Sequence, residues 1–185
     1  MTAPRDSVFR VVDRAVVSEA GFLTLERVRV AGPDGDEFDR HIVLHPGAVG
    51  IVPVDDDGDV LLVRQYRVAA GRELLEIPAG KRDVPDEPPE LTATRELEEE
   101  TGRRAGSIEP LGVFYNSPGF TDEYTHVFLA TNLASAERGA VTAEEASMTI
   151  EHVPLARVDD LIATGEIVDA KSIIGLLLAR QRLST

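Results

Sequence analysis

The 185-residue chain has no cysteine and no tryptophan, and aromatic residues make up only 5% of it. The missing thiols exclude disulfides, thiolate zinc sites and a cysteine nucleophile. The scarcity of rings predicts a core of aliphatic side chains. Basic residues are also short: 19 Lys and Arg stand against 33 Asp and Glu, a formal charge of −14. Nucleic acid is held through its phosphates by lysine and arginine, so this balance argues against a general nucleic-acid binder. No apolar run is long enough to cross a bilayer, and the opening Met-Thr-Ala-Pro-Arg-Asp-Ser-Val has no secretory apolar segment. A soluble cytoplasmic protein without membrane or nucleic-acid partners is the expectation. The hydrophobic share of 43% is ample for a core, and the length suits one domain, or one domain with an appended piece.

Along the chain, Val8–Val17 and Phe22–Val30 are rich in β-branched and apolar residues around a turn at Glu19-Ala20-Gly21, which predicts a hairpin. A third strand is expected over Phe38–Leu44, and His45-Pro46-Gly47 breaks the pattern. The expected organisation is an N-terminal three-strand sheet over 1–46 followed by a larger α/β unit over 47–185. Strands are predicted at Ala48–Val54, Val60–Tyr66, Leu74–Ile77, Ser107–Tyr115, Glu123–Ala130 and Met148–Pro154. Asp55-Asp56-Asp57-Gly58 lacks the rest of a calcium-loop pattern and reads as a hairpin turn. Helices are predicted at Val158–Thr164 and Lys171–Arg182, the second with a core-packing stripe of Ile173, Ile174, Leu177 and Leu178. Together these elements predict an α/β fold, a mixed sheet between layers of helices. His126 and His152 fall in strands and read as ordinary strand residues.

The segment richest in chemistry is Gly80–Gly102, which contains Arg-Glu-Leu-Glu-Glu-Glu-Thr-Gly from Arg95. Pro88 and Pro89 suit a helix start and Gly102 a helix stop. On that helix Glu96, Glu99 and Glu100 share one face. Three carboxylates on one rigid face repel one another unless a cation sits among them, and Mg2+ or Mn2+ takes such hard oxygen ligands. A glutamate run on a helix is by default a solvated face, and Glu98, which points the other way, is read so. Arg95 is read as a cation that orients its neighbours through forked hydrogen bonds.

This segment resembles the Nudix box, in which a glycine, five residues, a glutamate and seven residues precede Arg-Glu-apolar-x-Glu-Glu-x-Gly-apolar. Glu87, Arg95, Glu96, Leu97, Glu99, Glu100 and Gly102 fall on that pattern. Two positions depart: six residues separate Gly80 from Glu87, and Arg103 stands at the last apolar place, which shifts that contact to Ala105. A longer loop ahead of the helix absorbs the first change. The resemblance implies the Nudix fold from about Ala48 onward and a metal held by Glu96, Glu99, Glu100 and the Ala79 carbonyl.

Pro118, in Ser117-Pro118-Gly119, lies sixteen residues beyond Gly102. That placing is similar to the ADP-ribose pyrophosphatase subfamily, and the layout is nearest its actinobacterial branch. Leu62–Arg67, Glu73–Gly80 and Gly165–Ser172 resemble further segments of that subfamily. The resemblance implies hydrolysis of ADP-ribose to AMP and ribose 5-phosphate, with Glu99 and Glu100 catalytic. It implies substrate contacts from Arg67, Pro118, Gly119 and Glu123, and a general base at Glu144 or Glu145. It also implies a homodimer through the N-terminal strands. Arg40, near the end of the third strand, reads either as a residue that reaches across that dimer to a substrate phosphate or as an exposed arginine. The alternatives are another nucleoside diphosphate sugar such as GDP-mannose, or a regulator that binds ADP-ribose without cleaving it. The retained glutamates and the lack of a basic DNA-binding segment weigh against the regulator.

Overall fold

The structure is a computed structural model that describes residues 7–138 and 147–184. These residues form two compact units. The first runs to Gly47 and also takes in Ser117–Glu123; the second holds Ala48–Asn116 and the chain from Tyr124 onward.

In the first unit β1 (Arg10–Ala20), β2 (Leu23–Ala31) and β3 (Glu37–Leu44) make an antiparallel sheet in that order. The hairpin turn sits at Gly21-Phe22, later than the expected Glu19-Ala20-Gly21, because Gly21 takes the left-handed φ of 60° that closes it. Ala20 therefore still pairs, with Leu23. On the sheet surface Asp39 of β3 accepts from Arg27 (3.2 Å) and Arg29 (3.0 Å) of β2. Val11, Val12, Val16 and Val17 on β1 are all exposed. The 117–123 loop is fastened to the end of β3: Val43 N donates to Phe120 O (2.7 Å) and His45 N to an Asp122 carboxylate oxygen (2.8 Å).

The second unit contains β4 (Ala48–Pro53), β5 (Asp59–Arg67), β6 (Arg72–Glu76), β7 (Ala79–Lys81), α1 (Pro89–Thr101) and β8 (Arg103–Tyr115). After these come β9 (Tyr124–Ser135), β10 (Thr149–Pro154), α2 (Val158–Ala163) and α3 (Ala170–Leu183). One sheet is mixed, ordered β7-β4-β9-β8, with β4 and β9 parallel; the other is antiparallel, ordered β10-β5-β6. Side chains alternate across a strand, and here the alternation assigns each face a helix. Val49, Ile51, Phe128 and Ala130 pack with Ala93 and Leu97 of α1, while Val52, Val127 and Leu129 pack with Leu176 and Ala179 of α3. The mixed sheet is thus layered between α1 and α3. Leu62, Leu75 and Ile77 join the α3 side of the core. Among the described residues no helix is long and apolar enough to cross a membrane.

Several elements depart from expectation. β8 begins at Arg103 and β9 runs to Ser135, because Arg103 pairs with Ser135 and Ala105 with Leu133 even where the strands turn polar. Ala105 does pack against the α1 side of the core in place of Arg103. β7 carries no alternation and exists because β4 pairs with it, Val49 opposite Gly80. In α3 the buried face is Ser172, Gly175, Leu176 and Ala179, and Leu177 of the expected stripe is exposed. Small residues win that face because the helix lies close on the sheet. A Cβ at Gly175 would stand 3.1–3.2 Å from side-chain atoms of Ile77, Val127 and Val52. Asp55 closes the β4–β5 turn by accepting from the Asp57 and Asp59 amides (3.1 and 2.9 Å), with Gly58 at φ 82°, as the hairpin reading requires.

Candidate active site

α1 begins after Pro88 and ends on Gly102, whose φ of 64° is the left-handed stop. Leu97 and Ala93 are fully buried and fix the helix on the sheet. That contact turns Glu96 and Glu100 inward toward β7. The Glu96 carboxylate lies directly on Gly80, where a Cβ would overlap it. Glu100 accepts a hydrogen bond from the Ala79 amide (3.0 Å) and is 5% exposed. Glu99, 40% exposed at its side chain, meets Arg95 Nη1 at 3.0 Å, and the same nitrogen meets Glu96 at 2.8 Å. Arg95 therefore bridges the two carboxylates, while its Nη2 stands 3.6 Å from Asp83 and 3.7 Å from Glu87. Glu87 is held by the Thr92 hydroxyl (2.8 Å) in the first turn of α1. Glu98 faces away and pairs with Arg104 (2.7 Å).

Burial pushes the Glu100 carboxyl up to about 8; the Ala79 amide opposes the shift and the charge of Glu96 adds to it. Glu96 is raised by burial too, with Arg95 opposing. A contrast with Glu76 shows what these groups lack. Glu76 is 1% exposed, yet the Arg67 and Lys171 cations outweigh the burial and hold it below the usual carboxylate range. Glu100 has an amide as its hydrogen-bond donor where Glu76 has two cations. Among the described residues no three acidic or histidine side chains yet close on one point, since Arg95 spans Glu96 and Glu99 and Glu100 is turned to Ala79. The donor set still fits a divalent cation: hard oxygens on one helix face, a glycine that leaves room for one of them, and in Glu100 a buried carboxylate whose hydrogen-bond donor is an amide and not a cation.

Arg67, at the end of β5, is engaged by Glu76 through Nε (2.9 Å) and Nη2 (2.7 Å), and its side chain remains 40% exposed. Lys171 completes this cluster, which sequence reasoning missed; it donates to Glu76 (2.5 Å) and to Asp169 (2.8 Å). The strings Glu73–Gly80 and Gly165–Ser172 mark both halves, but 95 residues separate Lys171 from Glu76. Pro118, Gly119, Glu123 and Arg40 belong to the first unit. Pro118 and Gly119 form the turn before Phe120, and Glu123 stands 3.8 Å from His45. Arg40 donates to the Asp39 carbonyl (3.0 Å) and lies over the Phe38 ring at 4.4 Å. Glu144 and Glu145 fall outside the described residues. His126 stacks on Phe128 within β9, and His152 meets Asp55 at 3.3 Å.

A profile of the NUDIX domain matches residues 44–174. The chain is 41% identical over 169 residues to the ADP-ribose pyrophosphatase of Mycobacterium tuberculosis, covering 91% of this chain and 82% of that one. It is 43% identical over 140 residues to the ADP-ribose pyrophosphatase of Bacillus subtilis, covering 76% and 75%. A crystal structure of an ADP compounds hydrolase superposes with a TM-score of 0.86 at 24% identity, over 98% of this chain and 97% of that one, which speaks for the fold. A domain profile spanning most of the sequence, and relatives this similar along most of their own length, settle the family: the chain belongs to the Nudix family.

Proposed function

We propose that this protein hydrolyses the pyrophosphate bond of ADP-ribose, giving AMP and ribose 5-phosphate, with Mg2+ or Mn2+ as its cofactor. The observation that carries the reading is the acidic face of α1 set on β7, where Glu96 lies on Gly80 and the buried Glu100 accepts its hydrogen bond from the Ala79 amide. The two ADP-ribose pyrophosphatases named above, similar over most of their length, support the substrate. Glu96, Glu99, Glu100 and the Ala79 carbonyl would hold the cation. When bound there, the cation would supply charge to offset the phosphate oxygens and to lower the pKa of a water.

The chain's own part is positioning and charge stabilisation. Arg95 keeps Glu96 and Glu99 on one side of α1 and prevents their mutual repulsion from splaying them. Glu100 is kept on β7 by the Ala79 amide. Arg67 has N–H groups beyond the two that engage Glu76, and these serve as its donors to a substrate phosphate. The proton of the attacking water is assigned to Glu144 or Glu145. A homodimer formed through β1 accompanies this reading, supported by the exposure of Val11, Val12, Val16 and Val17 on that strand.

The test is product chromatography after incubation with ADP-ribose and Mg2+, beside a metal-free control. Metal-dependent AMP is expected. Glu99→Gln and Glu100→Gln are each expected to lower kcat by about 100-fold or more with the circular dichroism unchanged. Full turnover in both variants overturns the assignment of α1. Cleavage of GDP-mannose in preference to ADP-ribose replaces the substrate and leaves the metal-binding face standing.

A further inference from the structure

Four charged side chains outside the acidic helix form one hydrogen-bonded cluster: Arg67, Glu76, Asp169 and Lys171. Glu76 lies at the last position of β6 and is 1% exposed, and Lys171 on α3 is 14% exposed at its side chain. Their hydrogen bonds run without a gap. Arg67 holds Glu76 with a two-pronged contact, Lys171 joins Glu76 to Asp169, and Asp169 caps α3 by accepting from the Ser172 amide (3.0 Å) and hydroxyl (2.6 Å). The Ser172 hydroxyl oxygen in turn accepts from the Ile77 amide (2.9 Å). The side chain of residue 76 and the backbone of residue 77 are therefore both tied to the first turn of α3. Two residues further on, the Ala79 amide holds Glu100 and Gly80 lies under Glu96.

Stability alone gives a weak reason for this cluster. Taking charges out of water is costly, and well-packed apolar residues often replace such a network without loss. Departures from an apolar core concentrate at functional sites. Here the cluster links the N-terminus of α3 to the one stretch of backbone against which two carboxylates of α1 are seated.

We infer that Glu76, Lys171 and Arg67 act as a positioning clamp for the reaction, fixing the 77–80 backbone so that the carboxylates of α1 are presented to the cation. Glu76 and Lys171 act through that backbone and touch neither substrate nor metal. The inference rests on the metal-binding reading of α1 and adds to it residues outside the box. The expected loss is that of outer-shell partners of metal ligands, about 10- to 100-fold in metal affinity or activity.

The experiment compares wild type with Lys171→Met, Lys171→Arg, Ser172→Ala and Arg67→Ala. It measures Mn2+ affinity by electron paramagnetic resonance without substrate, kcat and KM for ADP-ribose, and Tm. Lys171→Met is expected to weaken Mn2+ binding and lower kcat, each by about 10- to 100-fold, with KM little changed. Lys171→Arg, which keeps the charge and can still reach both carboxylates, is expected to recover most of the loss. Ser172→Ala should show the same pattern more weakly, since the Ile77 amide loses its acceptor and Asp169 loses the hydroxyl donor while the contacts of Lys171 and Arg67 with Glu76 remain. Variants that lose Tm while the folded protein keeps normal Mn2+ affinity and kcat overturn the inference, because a purely structural cluster behaves in that way. Arg67→Ala that raises KM and retains kcat overturns the place of Arg67 in the clamp and makes it a substrate contact only. Wild-type protein that neither binds Mn2+ nor yields AMP overturns the functional reading and the inference with it. A normal wild type beside normal variants overturns the inference alone.

Discussion

Gly80 shows how much a single position contributes to the site and how little of that its sequence context reveals. Its φ is not left-handed, so the glycine is required for space, and the space is taken by a carboxylate from a helix that begins nine residues later. Gly80→Ala is expected to displace Glu96 and lower kcat by about 10-fold or more, read by steady-state kinetics, with the fold retained by circular dichroism. Glu100 makes a second prediction, in which the sign of the shift decides the outcome. Its folded pKa of about 8 lies above the ordinary glutamate value of 4.5, so the native state binds this proton more tightly than the unfolded chain. Its contribution to stability is then fully present below the ordinary value and is lost as pH rises to about 8. Without divalent metal, Tm should fall across that window, and added Mg2+ should raise it most near pH 8. A calorimetric scan of pH with and without Mg2+ checks both, and metal binding near neutrality should release protons. Glu96, Glu99 and Glu100 were legible in the sequence because helical spacing alone puts them on one face. Glu76 and Lys171 were not, since they meet only through the fold.

At the scale of elements, the helices that end in strong local signals were read well and those settled by packing were not. Pro88, Pro89 and Gly102 bracket α1 as expected. Gly102→Ala forces a side chain into the left-handed region and is expected to destabilise by about 1–2 kcal/mol, measured as a lower urea midpoint at unchanged slope. α3 lies at the expected place with its buried face shifted: Ile173 of the expected stripe packs against the core, and Leu177 is exposed. Periodicity favours its bulky residues, whereas the buried face combines Leu176 with the small Ser172, Gly175 and Ala179, and at Gly175 a side chain would crowd Ile77, Val127 and Val52. β7 was invisible for a related reason: Ala79-Gly80-Lys81 has no pattern of its own, and its strand character comes from β4. The extra residue ahead of α1 falls between Gly80 and Glu87, where Asp86 in the loop after β7 takes a φ of 61°, so these two anchors stay free of it.

For the molecule as a whole, composition bounded the class and the resemblance supplied the chemistry. β1 exposes Val11, Val12, Val16 and Val17 along eleven residues that are almost wholly uncovered. If a second copy covers them, Val12→Glu with Val16→Glu should convert a dimer to a monomer in size-exclusion chromatography with light scattering. A wild-type protein of monomer mass would remove the dimer from the functional reading. The chain also enters its first compact unit twice, once at the start and again for Ser117–Glu123. Val43 and His45 find partners in Phe120 and Asp122, seventy-seven residues away in both cases. The N-terminal sheet is therefore no detachable cassette. A recombination crossover between Gly47 and Ala48 would unite a sheet from one parent with a loop from another, so the two stretches should descend together or change in step.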